Sequence, residues 1–165
     1  MKNKTFRDRP VWQQFLLLAL LLGVALVAER QVQNFLGQRA IDTADLPAQP
    51  FEQAMIASAA DGKPVLANFS ALWCPACRKL ELQVFTDPRV RNRIIDGFHY
   101  TRIEYESAAN RTLFTRYNIG GFPTLLVASN NGINKRESIM RLPLTFDPDE
   151  MLGLLNKATT AHIRP

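Results

Sequence analysis

Phe69-Ser-Ala-Leu-Trp73-Cys74-Pro75-Ala76-Cys77-Arg78-Lys79 holds both cysteines of the 165-residue chain, with two residues between them. Before it lies Pro64-Val-Leu-Ala-Asn-Phe69, an apolar and partly β-branched run that reads as a buried strand. After it, Lys79-Leu-Glu-Leu-Gln-Val-Phe85 carries apolar residues at helical spacing. The pair therefore sits where a strand gives way to a helix that is expected to run to about Thr86.

That placement has chemical consequences. A helix start presents unpaired backbone N–H groups and the positive end of the peptide dipoles. A thiol held there loses its proton more readily, and the thiolate is the reactive species. Cys74 is expected at the helix tip and exposed, with Cys77 one turn inward beneath it. Pro75 fits the first turn, where its missing N–H has no helical partner to lose. The arrangement suits reversible exchange, in which Cys74 attacks a partner disulfide and Cys77 resolves the mixed intermediate.

Other readings of the pair stay open. Two cysteines can form a static structural disulfide, or half of a metal site. There is no second Cys-x-x-Cys, and His99 and His162 are too far apart for a zinc-finger spacing. A soft ion such as copper(I) fits two thiolates better than zinc does. No metal ligand is assigned, and no cofactor is expected beyond the redox-active Cys74–Cys77 pair itself.

The formal charge of +5 is divided unevenly. Residues 1–44 hold six Lys/Arg against three Asp/Glu, and residues 45–165 hold fourteen against twelve. A nearly balanced domain does not call for a nucleic acid partner, despite the pI of 9.6. Arg89, Arg91 and Arg93 read as a solvated basic helix face.

The N-terminus has the pattern of an exported chain. Residues 1–10 form a basic head with Lys2, Lys4, Arg7 and Arg9. Residues 11–28 follow as an apolar segment, uninterrupted from Phe15 to Ala28. Its length lies between a signal-peptide core and a single membrane span. The cleavage signals around Ala25 and Ala28 are poor, and Trp12 resembles an interfacial anchor, so an uncleaved anchor is the preferred reading. Either way the positive head stays in the cytoplasm and the remainder is exported. Residues 29–49 read as a linker that can first continue the helix, with Asp45-Leu-Pro-Ala-Gln-Pro50 as its boundary. Residues 50–165 form the domain.

Within the domain, Phe51 to Ala60 is helical in composition and stops at Asp61-Gly62. Asp87-Pro88 starts a fresh helix, with Asp as cap and Pro in the first turn. Phe98–Tyr105 alternates as a strand, and Ser107–Tyr117 reads as a helix. Gly120-Gly121-Phe122-Pro123-Thr124 leads into a strand from Leu125 to Ala128. Asn131-Gly132 is a hairpin turn signal, with Glu137–Leu142 returning antiparallel. The last helix begins at Asp147-Pro148, and Phe146 is placed to pack on Met151 as a staple. The fold class is α/β: a central mixed sheet of about four strands flanked by helices.

Strand, Trp-Cys-x-x-Cys, helix and then Gly-Phe-Pro-Thr before a later strand resemble the thioredoxin superfamily over roughly residues 50–160. The stretch from Phe69 to Glu81, with Val84-Phe-Thr-Asp-Pro-Arg-Val90, is most similar to the C-terminal domain of transmembrane thiol:disulfide interchange reductases and their single-domain relatives. The resemblance implies a thioredoxin-like fold with Pro123 as a cis proline against the cysteine pair. It implies that the backbone of Phe122 pairs with a substrate peptide and that Trp73 shields the site. It implies too that Pro75 and Ala76, between the sulfurs, modulate the pair, as does Asn68. Relatives often carry a buried acid six residues before the first cysteine, thought to deprotonate the inner thiol. Here that position is Asn68, an amide that cannot take a proton. Cys77 is then expected to resolve slowly unless Glu81, Arg102 or water substitutes.

The function this implies is a membrane-anchored thiol:disulfide oxidoreductase, reductive in direction, in the bacterial inner membrane with its domain in the periplasm. If residues 1–28 were removed it would be free in the periplasm. Its partners would be exported proteins with thiols or disulfides, and a membrane electron donor. The rival is a non-catalytic thioredoxin-like assembly factor or copper(I) chaperone using Cys74 and Cys77, with Met55, Met140 and Met151 as soft ligands.

Overall fold

The computed structural model describes residues 10–131 and 136–163, and the side chains of these except at 130, 131, 136, 137 and 161–163. The basic head at residues 1–9, Gly132 of the expected hairpin turn and the His162 side chain lie outside that set.

Helix α1 spans Val11–Ala44 without a break, so the segment 29–49 is helical as far as Ala44. Its apolar first half is exposed at most positions from Val11 to Val27. In its second half Gly37, Ala40 and Ala44 are buried, three or four residues apart and hence on one face. Asp45 then adopts a left-handed conformation (φ 47°) and closes the helix through its N–H to the Ile41 carbonyl. Helix α2 (Phe51–Asp61) ends at Gly62, whose φ of 76° suits a residue without a Cβ.

Strand β1 (Val65–Ser70) follows, buried at every position. The active-site helix α3 (Pro75–Leu80) runs on into a wide π turn over Glu81–Phe85. Helix α4 (Pro88–Gly97) starts as read: the Asp87 side chain accepts the N–H groups of Arg89 and Val90. Strand β2 (His99–Glu104), a 3-10 turn (Ala108–Asn110) and helix α5 (Arg111–Arg116) come next. Strands β3 (Thr124–Asn131) and β4 (Arg136–Arg141) and helix α6 (Pro148–Ile163) complete the chain. Asp147 caps α6 by accepting the Glu150 N–H at 2.9 Å.

The sheet order is β2-β1-β3-β4. Strand β1 is parallel to β2 and antiparallel to β3, and β3 is antiparallel to β4. Because β1 is central, its alternate side chains feed two cores. Leu66 joins the large cluster with Leu80, Phe85, Ile94, Tyr100, Met151 and Leu155, under α3, α4 and α6. Ala67 and Phe69 point the other way, to Ile103, Phe114, Tyr117 and Leu126. Partly buried Phe146 packs on the cluster that contains Met151.

The arginines of α4 are solvated in part, with Arg89 the most exposed, and each is also paired. Arg89 pairs with Asp87 and Asp149, Arg91 with Asp45 and the Ala44 carbonyl, and Arg93 with Asn156 and Thr159. Arg89 and Arg93, four residues apart, share a face and reach α6, whereas Arg91, two residues from each, is turned to the end of α1.

Candidate active site

Strand β1 ends at Ser70, and four residues later Cys74 becomes the N-cap of α3. Its Sγ accepts the backbone N–H of Cys77 at 3.1 Å. The two cysteines form a disulfide with their Cα atoms 5.2 Å apart. Pro75 occupies the first helical turn, where it leaves no donor unpaired.

Phe122 and Pro123 arrive from the other side of the sheet. Antiparallel pairing sets Phe69 opposite Thr124, so the residues just before β3 meet the end of β1 that carries the cysteines. The Phe122–Pro123 peptide bond is cis and Pro123 is buried. Phe122 packs on a small cluster of Ala71, Cys74 and Cys77, with Ala76 beside it. Its ring also meets Trp73 at 6.1 Å, Tyr105 at 5.1 Å and Phe114 at 5.7 Å between centroids.

This enclosure corrects one expectation. Cys74 is not an exposed helix tip: it retains 5% of its accessible surface and Cys77 3%. The cover comes from Phe122, which lies far along the chain. Trp73, at 38%, and Tyr105, at 52%, are the open members of the group.

Below the disulfide lies a polar network inside the core. Alternation puts Asn68 of β1 and Tyr100, Arg102 and Glu104 of β2 on the α3 side of the sheet. Asn68 Nδ2 donates to Glu81 Oε1 and to the Tyr100 hydroxyl, both at 3.1 Å. Arg102 donates to Glu81 Oε1 at 2.7 Å and to Glu104 Oε2 at 3.0 Å. Glu104 Oε1 accepts the Leu72 N–H at 2.9 Å, which fixes the loop that presents Trp73 and Cys74. Burial pushes the Glu81 carboxyl up to about 7, against the opposing pull of Arg102 and Asn68. Burial also raises Glu104, and it drives the Tyr100 hydroxyl up, with the Glu81 charge adding to it.

Cys77 and Glu81 are four residues apart in one helix and both are buried, so they share a face. A carboxyl that titrates near neutrality thus stands one turn behind the inner cysteine. Glu104, Tyr100 and Tyr105 were not among the residues singled out from the sequence. Only the alternation of β2 with Arg102 offered a signal for Glu104 and Tyr100. The three methionines do not gather at the cysteines. Met151 is in the large core, Met55 packs near Val65 and Ala128, and Met140 is on β4.

Comparisons with known proteins agree with this geometry. A thioredoxin-like domain family model matches residues 51–159. The thiol:disulfide interchange protein DsbD of Salmonella typhimurium is 29% identical over 147 residues, 81% of this chain but 25% of that protein. This chain therefore spans about a quarter of the length of that relative. In fold, a thioredoxin from Thermus thermophilus superposes with a TM-score of 0.64 at 22% identity, covering 72% of this chain and 90% of that one. The oxidised C-terminal domain of Neisseria meningitidis DsbD gives 0.53 at 18% identity, covering 65% and 90%. With the family model spanning the whole four-stranded unit and its Cys74–Cys77 disulfide, the chain belongs to the thioredoxin-like domain family.

Proposed function

We propose that the protein is a membrane-anchored thiol:disulfide oxidoreductase that reduces disulfides of exported proteins. The observation that carries the reading is the bond between Cys74 and Cys77 at a helix start, with Cys74 Sγ receiving a backbone N–H. In the dithiol form that N–H stabilises a Cys74 thiolate.

The thiolate attacks one sulfur of the partner disulfide, and the other partner sulfur leaves as a thiolate. Cys77, losing its proton, then attacks Cys74 Sγ, releases the second partner sulfur and restores the Cys74–Cys77 disulfide. Two electrons pass to the partner and two protons follow. The cycle closes only when a dithiol donor reduces the pair again, and a membrane protein is the donor proposed. Glu81 is the acceptor for the Cys77 proton, in the role an acid at position 68 would have had. Phe122 and Pro123 offer backbone to the bound peptide, and Trp73 flanks it. Pro75 and Ala76 set the loop between the sulfurs. No further cofactor or metal is needed for this chemistry.

Residues 11–28 serve as the anchor in the bacterial inner membrane, with the domain in the periplasm. The most apolar 18-residue window of α1 has none of its residues buried by the domain, which supports this reading. So does the way α1 continues through Ala44 as part of the folded unit.

Insulin reduction by the detergent-solubilised chain tests the activity. The wild type should precipitate insulin chains and Cys74→Ser should not. Tight copper(I) retention without any reduction would favour the chaperone reading instead.

A further inference from the structure

The changeover in α1 from exposed apolar residues to residues packed on the domain falls beside Trp73, the residue before Cys74. Leu26, Glu29 and Arg30 of α1 face Trp73, Tyr105 and Glu106 across an open groove of about 370 Å³. Arg30 pairs with Glu106 on its rim. Further along, Gln33 accepts from Arg78 at 2.6 Å, and Gly37 is pressed against the Leu72 carbonyl. At its far end α1 is held by Arg91, which donates to the carbonyls of Ala44 and Asp45. The helix is thus fixed to the domain along its second half, and the active-site loop occupies the end of that contact nearest the apolar half.

Helix dimensions turn this into a depth. The 18 residues Val11–Ala28 span about 27 Å at ~1.5 Å per residue, close to the ~30 Å of a bilayer's hydrocarbon. With that segment in the membrane, Ala28 lies at the hydrocarbon edge. Leu26 is then about 3 Å inside it and Arg30 about 3 Å outside it. Trp73 and Tyr105, which line a groove with these residues, fall at headgroup depth, where aromatic side chains with a polar atom are favoured. Trp73 is 38% exposed and Tyr105 52%, and both line the groove with Leu26 of α1.

We infer that the bilayer surface is a docking surface for this domain: Trp73, Tyr105 and Leu26 lie in the headgroup region, and the Cys74–Cys77 disulfide faces the membrane. This rests on residues 11–28 being an anchor. It deepens the proposed function by narrowing the substrates to cysteines presented at the lipid surface.

The test uses the two tryptophans, Trp12 and Trp73. The full chain is reconstituted into phosphatidylcholine vesicles with bromine placed shallow or deep on the acyl chains. Emission is compared with that in unbrominated vesicles. In Trp12→Phe, Trp73 should be blue-shifted and should lose more fluorescence to shallow bromine than to deep bromine. In Trp73→Phe, Trp12 should be quenched as an anchor residue. Quenching of Trp12 with an unquenched, red-emitting Trp73 would overturn the docking and leave the anchor intact. Absence of quenching in both variants would remove the anchor reading and the inference together.

Discussion

Asn68 Nδ2 donates to Glu81 Oε1 at 3.1 Å, which joins the centre of β1 to the end of the active-site helix. The strand has no acid at position 68, yet a carboxyl stands beside it, carried by the helix. Arg102 holds the same oxygen from the next strand at 2.7 Å. Glu81 is 3% exposed, and its carboxyl rises to about 7 through burial.

Exchange kinetics separate the two positions. If Glu81 takes the Cys77 proton, Glu81→Gln should slow resolution of a mixed disulfide by on the order of 10²-fold, the lower range for loss of a positioned base. Asn68→Asp adds a second acid where one already serves, so its effect should be much smaller. Rapid-mixing measurement of resolution in the two variants checks this. A slow Asn68→Asp with an unchanged Glu81→Gln would refute the assignment.

Stability should carry the same signature. The folded Glu81 keeps its proton up to about pH 7, whereas the unfolded one releases it near 4.5. Between those values the unfolded state binds fewer protons, so stability falls as pH rises. The loss amounts to at most about 3–4 kcal/mol at ~1.4 kcal/mol per pKa unit. Glu81→Gln removes this dependence. Denaturation of both proteins in the same detergent at about pH 5 and about pH 8 reads the difference, and parallel curves would contradict it.

Glu104 is expected to hold the loop before Cys74. Glu104→Ala leaves the Leu72 N–H and one side of Arg102 without their partner. The cost should be about 1–3 kcal/mol, the range for a stranded buried donor. Faster proteolytic cleavage near Leu72 should accompany it. Unchanged stability and protection would show that the loop is held by other contacts.

Gly37 tests the seat of α1. A Cβ at this position would come within 2.8 Å of the Leu72 carbonyl carbon, which is backbone and cannot swing aside. Gly37→Val should destabilise the packed unit by about 1–3 kcal/mol, as overpacking does. Gly23, with nothing within 4 Å, tolerates the same change and is the control.

Much of this was legible in local sequence because the chemistry is local. The Asp87 and Asp147 caps, the Gly62 stop and the strand-to-helix site of Cys74 are each set by neighbouring residues. The cover over Cys74 was not legible, since Phe122 reaches it only through the pairing of β1 with β3. Glu81 could be named as a substitute for an acid at 68. That it meets Asn68 depends on the helix phase and on the Asn68–Arg102 register. The pairing of the α4 arginines was not legible, because Asp45 follows α1 and Asp149 and Asn156 are on α6, all far from them in sequence.

Capture of a covalent intermediate tests the central claim most directly. Reduced Cys77→Ala protein, mixed with a disulfide-bonded peptide, should accumulate an adduct through Cys74, resolved by mass spectrometry, and Cys74→Ala should form much less. Equal adducts on both variants, or none on Cys77→Ala, would contradict Cys74 as the attacking sulfur and Cys77 as the one that releases it.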